Sequence, residues 1–235
     1  MQKIKQFIQT HKHMWWGLYL PVYLIMYFTV EHVVTDNYWA TQTAIDDYIP
    51  FCEYFVIPYD SWGPLLFVLG GFLILKDPES FRRYMWFIAI AYTTATIFCF
   101  LVPNGQDLRP AELPRQNICS WILQKTWDAD NNANVFPSVH ILGVVAAISA
   151  MWHSPKMKRV WQIAGTVWVV IIAASRLLVK QHAFIDLAAA LVWGGVGYVI
   201  VDVIIGHKRE RKGLRCGAEE PEREAEHDHS PDAGI

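Results

Sequence analysis

Six apolar segments, separated by polar linkers and loops, constrain the fold of this chain more than any other feature. A helix that crosses a bilayer needs about 20 mostly apolar residues, with a usual range near 17–25. The segments are 15–30, 62–75, 84–102, 139–152, 160–179 and 184–205. The second and fourth are short, and we interpret them as spans because charged linkers flank them and leave no soluble core to bury them. The sequence therefore predicts an all-α bundle of six transmembrane helices, residues 14–206.

The amino-acid composition fits a membrane domain with a polar tail. Of the 235 residues, 53% are hydrophobic and 18% are charged, whereas a soluble domain usually has about 25% charged residues. The last 29 residues, 207–235, contain 14 of the 42 charged side chains, so the rest is too poor in charge to coat a soluble particle. We predict that this tail is disordered and cytoplasmic. The net charge of −2 does not favour a nucleic-acid partner.

The distribution of lysine and arginine predicts the orientation of the bundle. Fifteen of the 20 basic residues lie in the N-terminal segment 1–13, in the linkers near 76–83 and 156–159, and in the tail. Basic residues accumulate on the cytoplasmic side of membrane proteins, so we expect both termini to be cytoplasmic. The short spans and the small size favour a bacterial plasma membrane, in which the other face of the protein points outward.

Five basic residues break this pattern and lie on the predicted outer side. They are Arg109, Arg115, Lys125, Arg176 and Lys180. Charged side chains at membrane depth are costly and tend to mark a functional site. We therefore expect the function to depend on the outer loops and on the helix ends beside them.

Two histidines lie in this region with partners suited to catalysis. His182 and Asp186 are four residues apart at the start of the sixth segment, so they share a helix face and the carboxylate can orient the imidazole. The alternative is that His182 and Asp186 only hydrogen-bond to each other and have no catalytic role. His140 follows Pro137-Ser138 at the start of the fourth segment. There the free helix amides and the Ser138 hydroxyl form an anion site, and the imidazole can donate a proton.

Arg109 and Arg176 add planar guanidinium groups that match phosphate oxygens. Each alone could be an anchor for lipid headgroups. Together with two imidazoles, a hydroxyl and a carboxylate on one membrane face, they suit in-line phosphoryl transfer. One histidine attacks phosphorus and the other protonates the departing oxygen. We expect this chemistry to need neither a metal nor a cofactor.

These residues resemble the signature of the type 2 phosphatidic acid phosphatase superfamily. That signature has three parts: Lys-x6-Arg-Pro, Pro-Ser-Gly-His and Ser-Arg-x5-His-x3-Asp. The third part is complete here, as Ser175, Arg176, His182 and Asp186. The second part is present as Pro137-Ser138-Val139-His140, with Val139 in place of the family's glycine.

The first part of the signature is incomplete. Arg109-Pro110 matches it, but Val102 stands where the family has lysine. Lys180 or Lys125 could supply the missing charge. The resemblance spans the helical core, 14–206, and excludes the tail.

The resemblance implies an enzyme that acts on a phosphorylated lipid in the bilayer. His182 would be the nucleophile that forms a phosphohistidine, Asp186 would orient it, and His140 would be the acid that later activates the acceptor. The phosphate would be bound by Arg176, Ser138 and Arg109, with Lys180 as a further candidate.

The first two alternatives for the function differ in the molecule that accepts the phosphoryl group. With water as acceptor, the protein is a phosphatase for a lipid phosphate or diphosphate. The context of Val139 is more similar to the inositol phosphorylceramide synthase branch, which transfers a headgroup phosphate to an alcohol, so a phosphotransferase is the alternative. Two other classes are a haem-binding redox protein with His140 and His182 as axial ligands, and a non-catalytic lipid transporter or scaffold. The sequence does not indicate an oligomeric state.

Overall fold

The computed structural model describes residue 6 and residues 9–33 and 38–203. These residues are mostly helical, so the predicted helical class is confirmed. They form one compact unit as far as Tyr198, and of the unit that begins at Val199 only the end of the last helix is described. The predicted disordered tail, 207–235, and most of the N-terminal segment 1–13 lie outside the described residues.

Over the described residues, each predicted apolar segment coincides with helical structure to within one residue. A 3-10 turn, Lys12–Leu18, leads into the first of them. The helices are α1 (Tyr19–Val33), α2 (Val56–Asp60), α3 (Trp62–Lys76), α4 (Pro78–Leu101), α5 (Ile118–Ala129), α6 (Val139–His153), α7 (Arg159–Leu178) and α8 (Phe184–Val203). In the described part of the chain, four helical stretches are long and apolar enough to cross a membrane, namely Glu53–Lys76, α4, α7 and α8. α6 is a shorter apolar helix.

The second apolar segment is longer than the sequence predicted. A 3-10 turn, Glu53–Phe55, and α2 precede α3, and the Ser61 amide donates to the Ile57 carbonyl at 3.2 Å to continue the helix. The stretch therefore reaches 24 residues, about 36 Å at 1.5 Å per residue. The sequence placed these residues in an outer loop because Asp60 ends the apolar run.

The bundle brings the N-terminal ends of α6 and α8 together. α6 packs on α4 and α7. A Cβ at Gly194 of α8 would lie 3.1 Å from the Val145 side chain of α6, so the two helices approach more closely there than a larger residue allows. α8 also contacts α4, where the Trp193 indole donates to Thr94 Oγ1 at 2.9 Å.

Three of the segments that the sequence predicts on the outer side pair with one another at this end of the bundle. β1 (Trp39–Ala40) and β2 (Asn104–Gly105) form a short parallel ladder, and Gly105 bridges to Ala133. We define the outer cap as residues 38–52, 103–117 and 130–137. The Cys52 amide at its edge donates to the Leu178 carbonyl at 2.9 Å, which ties the cap to the end of α7.

Asp77 connects α4 to the opposite end of α6. Its Oδ1 accepts from the Ser80 amide at 3.1 Å, as an N-cap does, and its Oδ2 accepts from the Ser154 hydroxyl at 2.7 Å. Burial alone would raise the pKa of Asp77, but these hydrogen bonds outweigh it and hold the pKa below its ordinary value. The carboxylate therefore stabilises the fold above the pKa of the unfolded chain, and this contribution is lost as the pH falls through the folded pKa.

Replacing Asp77 with alanine is expected to lower the free energy of unfolding by about 1 kcal/mol or more, because α4 loses its cap and Ser154 its acceptor. For a chain of this length that corresponds to a fall of roughly 2–4 °C in the thermal midpoint, measured in detergent near neutral pH. The difference from wild type should shrink in acid. Glu112→Ala removes an exposed carboxylate and is the matched control; an equal loss in both variants would contradict the capping role.

Candidate active site

The turn between α7 and α8 forms the first half of the site. α7 ends at Leu178, and Lys180 has a left-handed backbone conformation, with φ 57°, that reverses the chain. The amides of Gln181 and His182 then donate to the Arg176 carbonyl at 3.1 and 3.2 Å. The Ser-Arg-x5-His spacing thus returns His182 to the helix end that carries Arg176.

His182 is the centre of a buried cluster and is 4% exposed. Its Nε2 lies 3.1 Å from His140 Nδ1 and 3.2 Å from Ser138 Oγ. Its Nδ1 faces Asp186 Oδ2 at 3.5 Å. A carboxylate on Nδ1 favours the tautomer with its proton there, which leaves a lone pair on Nε2. Four predicted site residues are therefore brought into one cluster, with His182 Nε2 at its centre.

Asp186 is fully buried and is held by the first turn of α8. Its Oδ2 accepts from the Ala183 amide at 2.8 Å. The 3.5 Å separation from His182 exceeds an ordinary hydrogen bond, and Oδ1 has no hydrogen-bond partner among the described residues. Hydrogen bonds of catalytic pairs often tighten when substrate binds. A small shift would therefore let this carboxylate fix the imidazole tautomer.

Ser138 is the N-cap of α6 and connects this helix to α8. Its Oγ accepts from the Ile141 amide at 3.4 Å, and its own amide donates to the Asp186 carbonyl at 3.4 Å. The buried Asn104 side chain holds the preceding turn, accepting from the Phe136 amide at 2.7 Å and donating to the Phe136 carbonyl at 3.2 Å. The start of α6, where free amides attract anions, is thus fixed from two sides.

Arg176 places a buried positive charge near His140 and is 1% exposed. Its Nη2 donates to the Tyr59 carbonyl at 3.2 Å, and its guanidinium carbon lies 3.7 Å from the Tyr59 ring centroid and 5.6 Å from that of Trp62. The His140 ring packs on the same two rings, with centroid separations of 6.0 and 4.7 Å.

Two nitrogens of this guanidinium, Nε and Nη1, have no hydrogen-bond partner within the described ranges. Burying a cation with unpaired donors is costly unless an anion joins it. Of the predicted phosphate ligands, Arg176 therefore has the geometry best suited to that role.

Arg109 lies outside the His182 cluster. Its Nη2 donates to the carbonyls of Asp130 and Asn131 at 2.7 and 3.1 Å and to Gln181 Oε1 at 2.8 Å, and its Nη1 donates to the Trp127 carbonyl at 3.1 Å. Arg109 therefore ties the loop after α5 to the residue that precedes the central histidine. Its contact with phosphate stays a prediction.

The candidates for the missing lysine of the first motif, Lys180 and Lys125, form no hydrogen bond or ion pair with the cluster among the described residues, although Lys125 lines a groove beside His140. Lys180 Nζ donates to the carbonyls of Asp46 and Ile49 at 2.8 and 2.6 Å. The Asp46 carboxylate in turn accepts from the amide of the first residue of α8 at 2.7 Å. Lys125 forms an exposed ion pair with Asp128 at 3.4 Å. Lys180 thus fastens the outer cap to the start of α8.

A groove of about 490 Å³ opens beside His140. One wall is α2, with Tyr59 and Asp60, and the other is α5, with Trp121 and Ile122. Its volume is typical of small-molecule sites, which span about 300–1,000 Å³. The groove gives a ligand access to the imidazole between an aromatic wall and a carboxylate.

The sequence did not reveal Asp130 as a supporting residue, nor the two side chains that donate to it, Gln181 and Tyr59. Gln181 Nε2 donates to Asp130 Oδ2 at 2.7 Å, and the Tyr59 hydroxyl donates to the same oxygen at 3.4 Å. The one signal for Asp130 is the polar run 128–134, and runs of Asp and Asn ordinarily indicate a turn. The sequence could not show that this turn faces the residue before His182.

Within residues 6, 9–33 and 38–203, no group of three or more His, Cys, Asp and Glu side chains could hold a metal ion. Comparison with known proteins finds no relative, since no family model, curated protein or solved structure matches the chain. The functional assignment therefore depends on the residues and their geometry.

Replacing Arg109 with alanine is expected to lower the thermal midpoint as well as activity, because four hydrogen bonds are lost, to the carbonyls of Trp127, Asp130 and Asn131 and to the Gln181 side chain. The cost should be about 2 kcal/mol or more. Arg109→Lys should not restore stability, since an ammonium lacks the planar fork that reaches several carbonyls. Arg82→Ala removes an exposed guanidinium elsewhere and is the control. A normal midpoint with lost activity in Arg109→Ala would instead indicate direct phosphate contact.

Proposed function

We propose that this protein is an integral-membrane phosphatase that acts on a lipid phosphate or diphosphate through a phosphohistidine. The observation that carries the proposal is the position of His182, with His140 and Ser138 at 3.1 and 3.2 Å from Nε2 and Asp186 facing the other ring nitrogen. Arg176 adds a buried guanidinium with two unpaired nitrogens. Metal-independent phosphoryl transfer needs these groups, and the same residues carry the resemblance to the type 2 phosphatidic acid phosphatase superfamily.

In the first step, the lone pair on His182 Nε2 attacks phosphorus. The bond from phosphorus to the leaving oxygen breaks, and His140 gives that oxygen a proton. Negative charge on the equatorial oxygens is stabilised by Arg176 and by the amides and hydroxyl at the start of α6. The product is a phosphohistidine whose imidazolium charge is balanced by Asp186.

In the second step, water attacks phosphorus from the side that the leaving group has vacated. His140, now neutral, takes a proton from the water, the phosphorus–nitrogen bond breaks, and phosphate leaves. In-line displacement needs phosphorus between the nucleophile and His140, so the 3.1 Å gap between the two rings must widen when substrate binds. The groove beside His140 offers space for that movement.

A phosphotransferase is the second candidate, because an alcohol can replace water in the second step. The groove favours this alternative, since a volume of about 490 Å³ beside His140 can hold an acceptor molecule. Its lining includes the carboxylates of Asp60 and Asp130, which can accept hydrogen bonds from hydroxyl groups.

The six-span topology with cytoplasmic termini also belongs to this proposal. α1 and α6, with 15 residues each, would be the short spans beside the four longer ones. The orientation rests on the distribution of lysine and arginine. It places the outer cap and His182 on the outer face of a bacterial plasma membrane.

The full-length protein in detergent is expected to release phosphate from at least one of phosphatidic acid, an isoprenyl diphosphate and phosphatidylglycerol phosphate, with chelator present. His182→Ala should reduce release by several orders of magnitude, because no nucleophile remains. His153→Ala removes an imidazole at the other end of α6 and should retain activity. Equal release by wild type and His182→Ala would refute the phosphohistidine mechanism.

Trapping of the intermediate separates the remaining alternatives. With an aryl phosphate, whose leaving group needs no acid, His140→Ala should accumulate a protein-bound phosphate that is labile to acid and stable to base. The bound phosphate is also followed in the wild-type protein. If it is lost faster with a lipid alcohol than with water alone, the protein is a phosphotransferase. A Soret absorption band without any labelling would favour the haem-binding alternative.

Single-cysteine variants test the orientation, in a background with the four native cysteines replaced. Glu112→Cys in the outer cap should react with a membrane-impermeant thiol reagent in intact cells. Arg82→Cys, near the start of α4, should react only after permeabilisation. The reverse pattern would place the His182 cluster on the cytoplasmic face.

A further inference from the structure

A second concave surface lies between α3 and α7, away from the His182 cluster. It encloses about 580 Å³, and its walls are almost wholly apolar. Val68 and Phe72 lie on its α3 side and Trp161, Ala164 and Trp168 on its α7 side. Met151 of α6 also lines it, packed against Gly165 of α7. We call this surface the α3–α7 groove.

The length of the α3–α7 groove matches one leaflet of a bilayer. From Lys158 to Trp168, α7 rises about 15 Å at 1.5 Å per residue, which is half of a hydrocarbon core about 30 Å thick. The Trp168 indole donates to Ser61 Oγ at 3.1 Å, so α3 and α7 are joined at that end. The groove is therefore closed near mid-membrane and long enough for one acyl chain.

The other end of the groove is cationic. Lys156 and Lys158 both line it and both are exposed. Neither ammonium has an ion-pair partner among the residues that the structure describes. The Arg159 guanidinium lies beside them, 4.2 Å from the Trp152 ring centroid. This end of the groove therefore presents positive charge where lipid headgroups lie, and basic residues there attract anionic lipids.

We propose that the α3–α7 groove binds one anionic phospholipid, with an acyl chain between the two helices and the headgroup phosphate at Lys156 and Lys158. A lipid with a quaternary ammonium headgroup fits less well, because the two ammonium groups repel its cation. The site lies apart from His182 and does not depend on the chemistry proposed there.

Native mass spectrometry of the full-length protein tests this assignment, with phosphatidylglycerol and phosphatidylcholine of identical acyl chains. Wild type should retain one phosphatidylglycerol in preference to phosphatidylcholine. The double variant Lys156→Gln/Lys158→Gln should lose that preference by roughly 30-fold, since each lysine near a headgroup contributes about 1 kcal/mol. Ala164→Phe, which fills the groove with a side chain from an exposed position, should reduce retention of both lipids.

A matched control removes the same charge elsewhere. Lys12→Gln/Arg82→Gln deletes two exposed basic residues outside the groove and should bind phosphatidylglycerol as wild type does. An unchanged preference in the lysine variant, an equal loss in the control, or unchanged retention in Ala164→Phe would each overturn the proposal. Thermal midpoints in detergent identify any variant that has failed to fold, and Lys158→Gln alone then serves as the milder test.

Discussion

The carbonyl group of Arg176 is the acceptor on which the candidate active site depends. It receives the amides of Gln181 and His182 at 3.1 and 3.2 Å, so His182 is fixed relative to the helix that carries the guanidinium. α8 begins two residues later, which places the carboxylate of Asp186 one helical turn beyond the imidazole. The spacing of the Ser-Arg-x5-His-x3-Asp motif is therefore the spacing of a helix end, one reversing turn and a helix start.

The outer cap forms hydrogen bonds that hold the turn between α7 and α8 in place. Lys180 binds two carbonyls of the cap, Asp46 accepts from the first amide of α8, and Arg109 binds Gln181. Each is a charged group directed at backbone or at a neutral amide, where charge-assisted hydrogen bonds are stronger than neutral ones. Charge in the outer loops therefore holds the turn that carries His182, in addition to any contact with a ligand.

The sequence predicted the helical class and the cluster of His182, Asp186, His140 and Ser138, because helical spacing and a helix start determine which side chains meet. It did not show that Arg109 and Lys180 bind carbonyl groups, because a backbone acceptor has no signature in the sequence. α2 was missed for a similar reason, since a carboxylate ends an apolar run whether or not the helix continues. Helices and local spacing can thus be predicted from the sequence, whereas hydrogen-bond partners that are distant along the chain cannot.

The short distance between the two imidazoles and the unpaired nitrogens of Arg176 are linked in the proposed mechanism, because a phosphoryl group would affect both. His140 and His182 contact each other at 3.1 Å, while the buried guanidinium packs on the faces of Tyr59 and Trp62. On the proposed mechanism, an entering phosphoryl group separates the rings and pairs with Arg176. The hydrogen bond lost between the imidazoles is then replaced by charge-assisted bonds, so substrate binding and opening of the site are coupled.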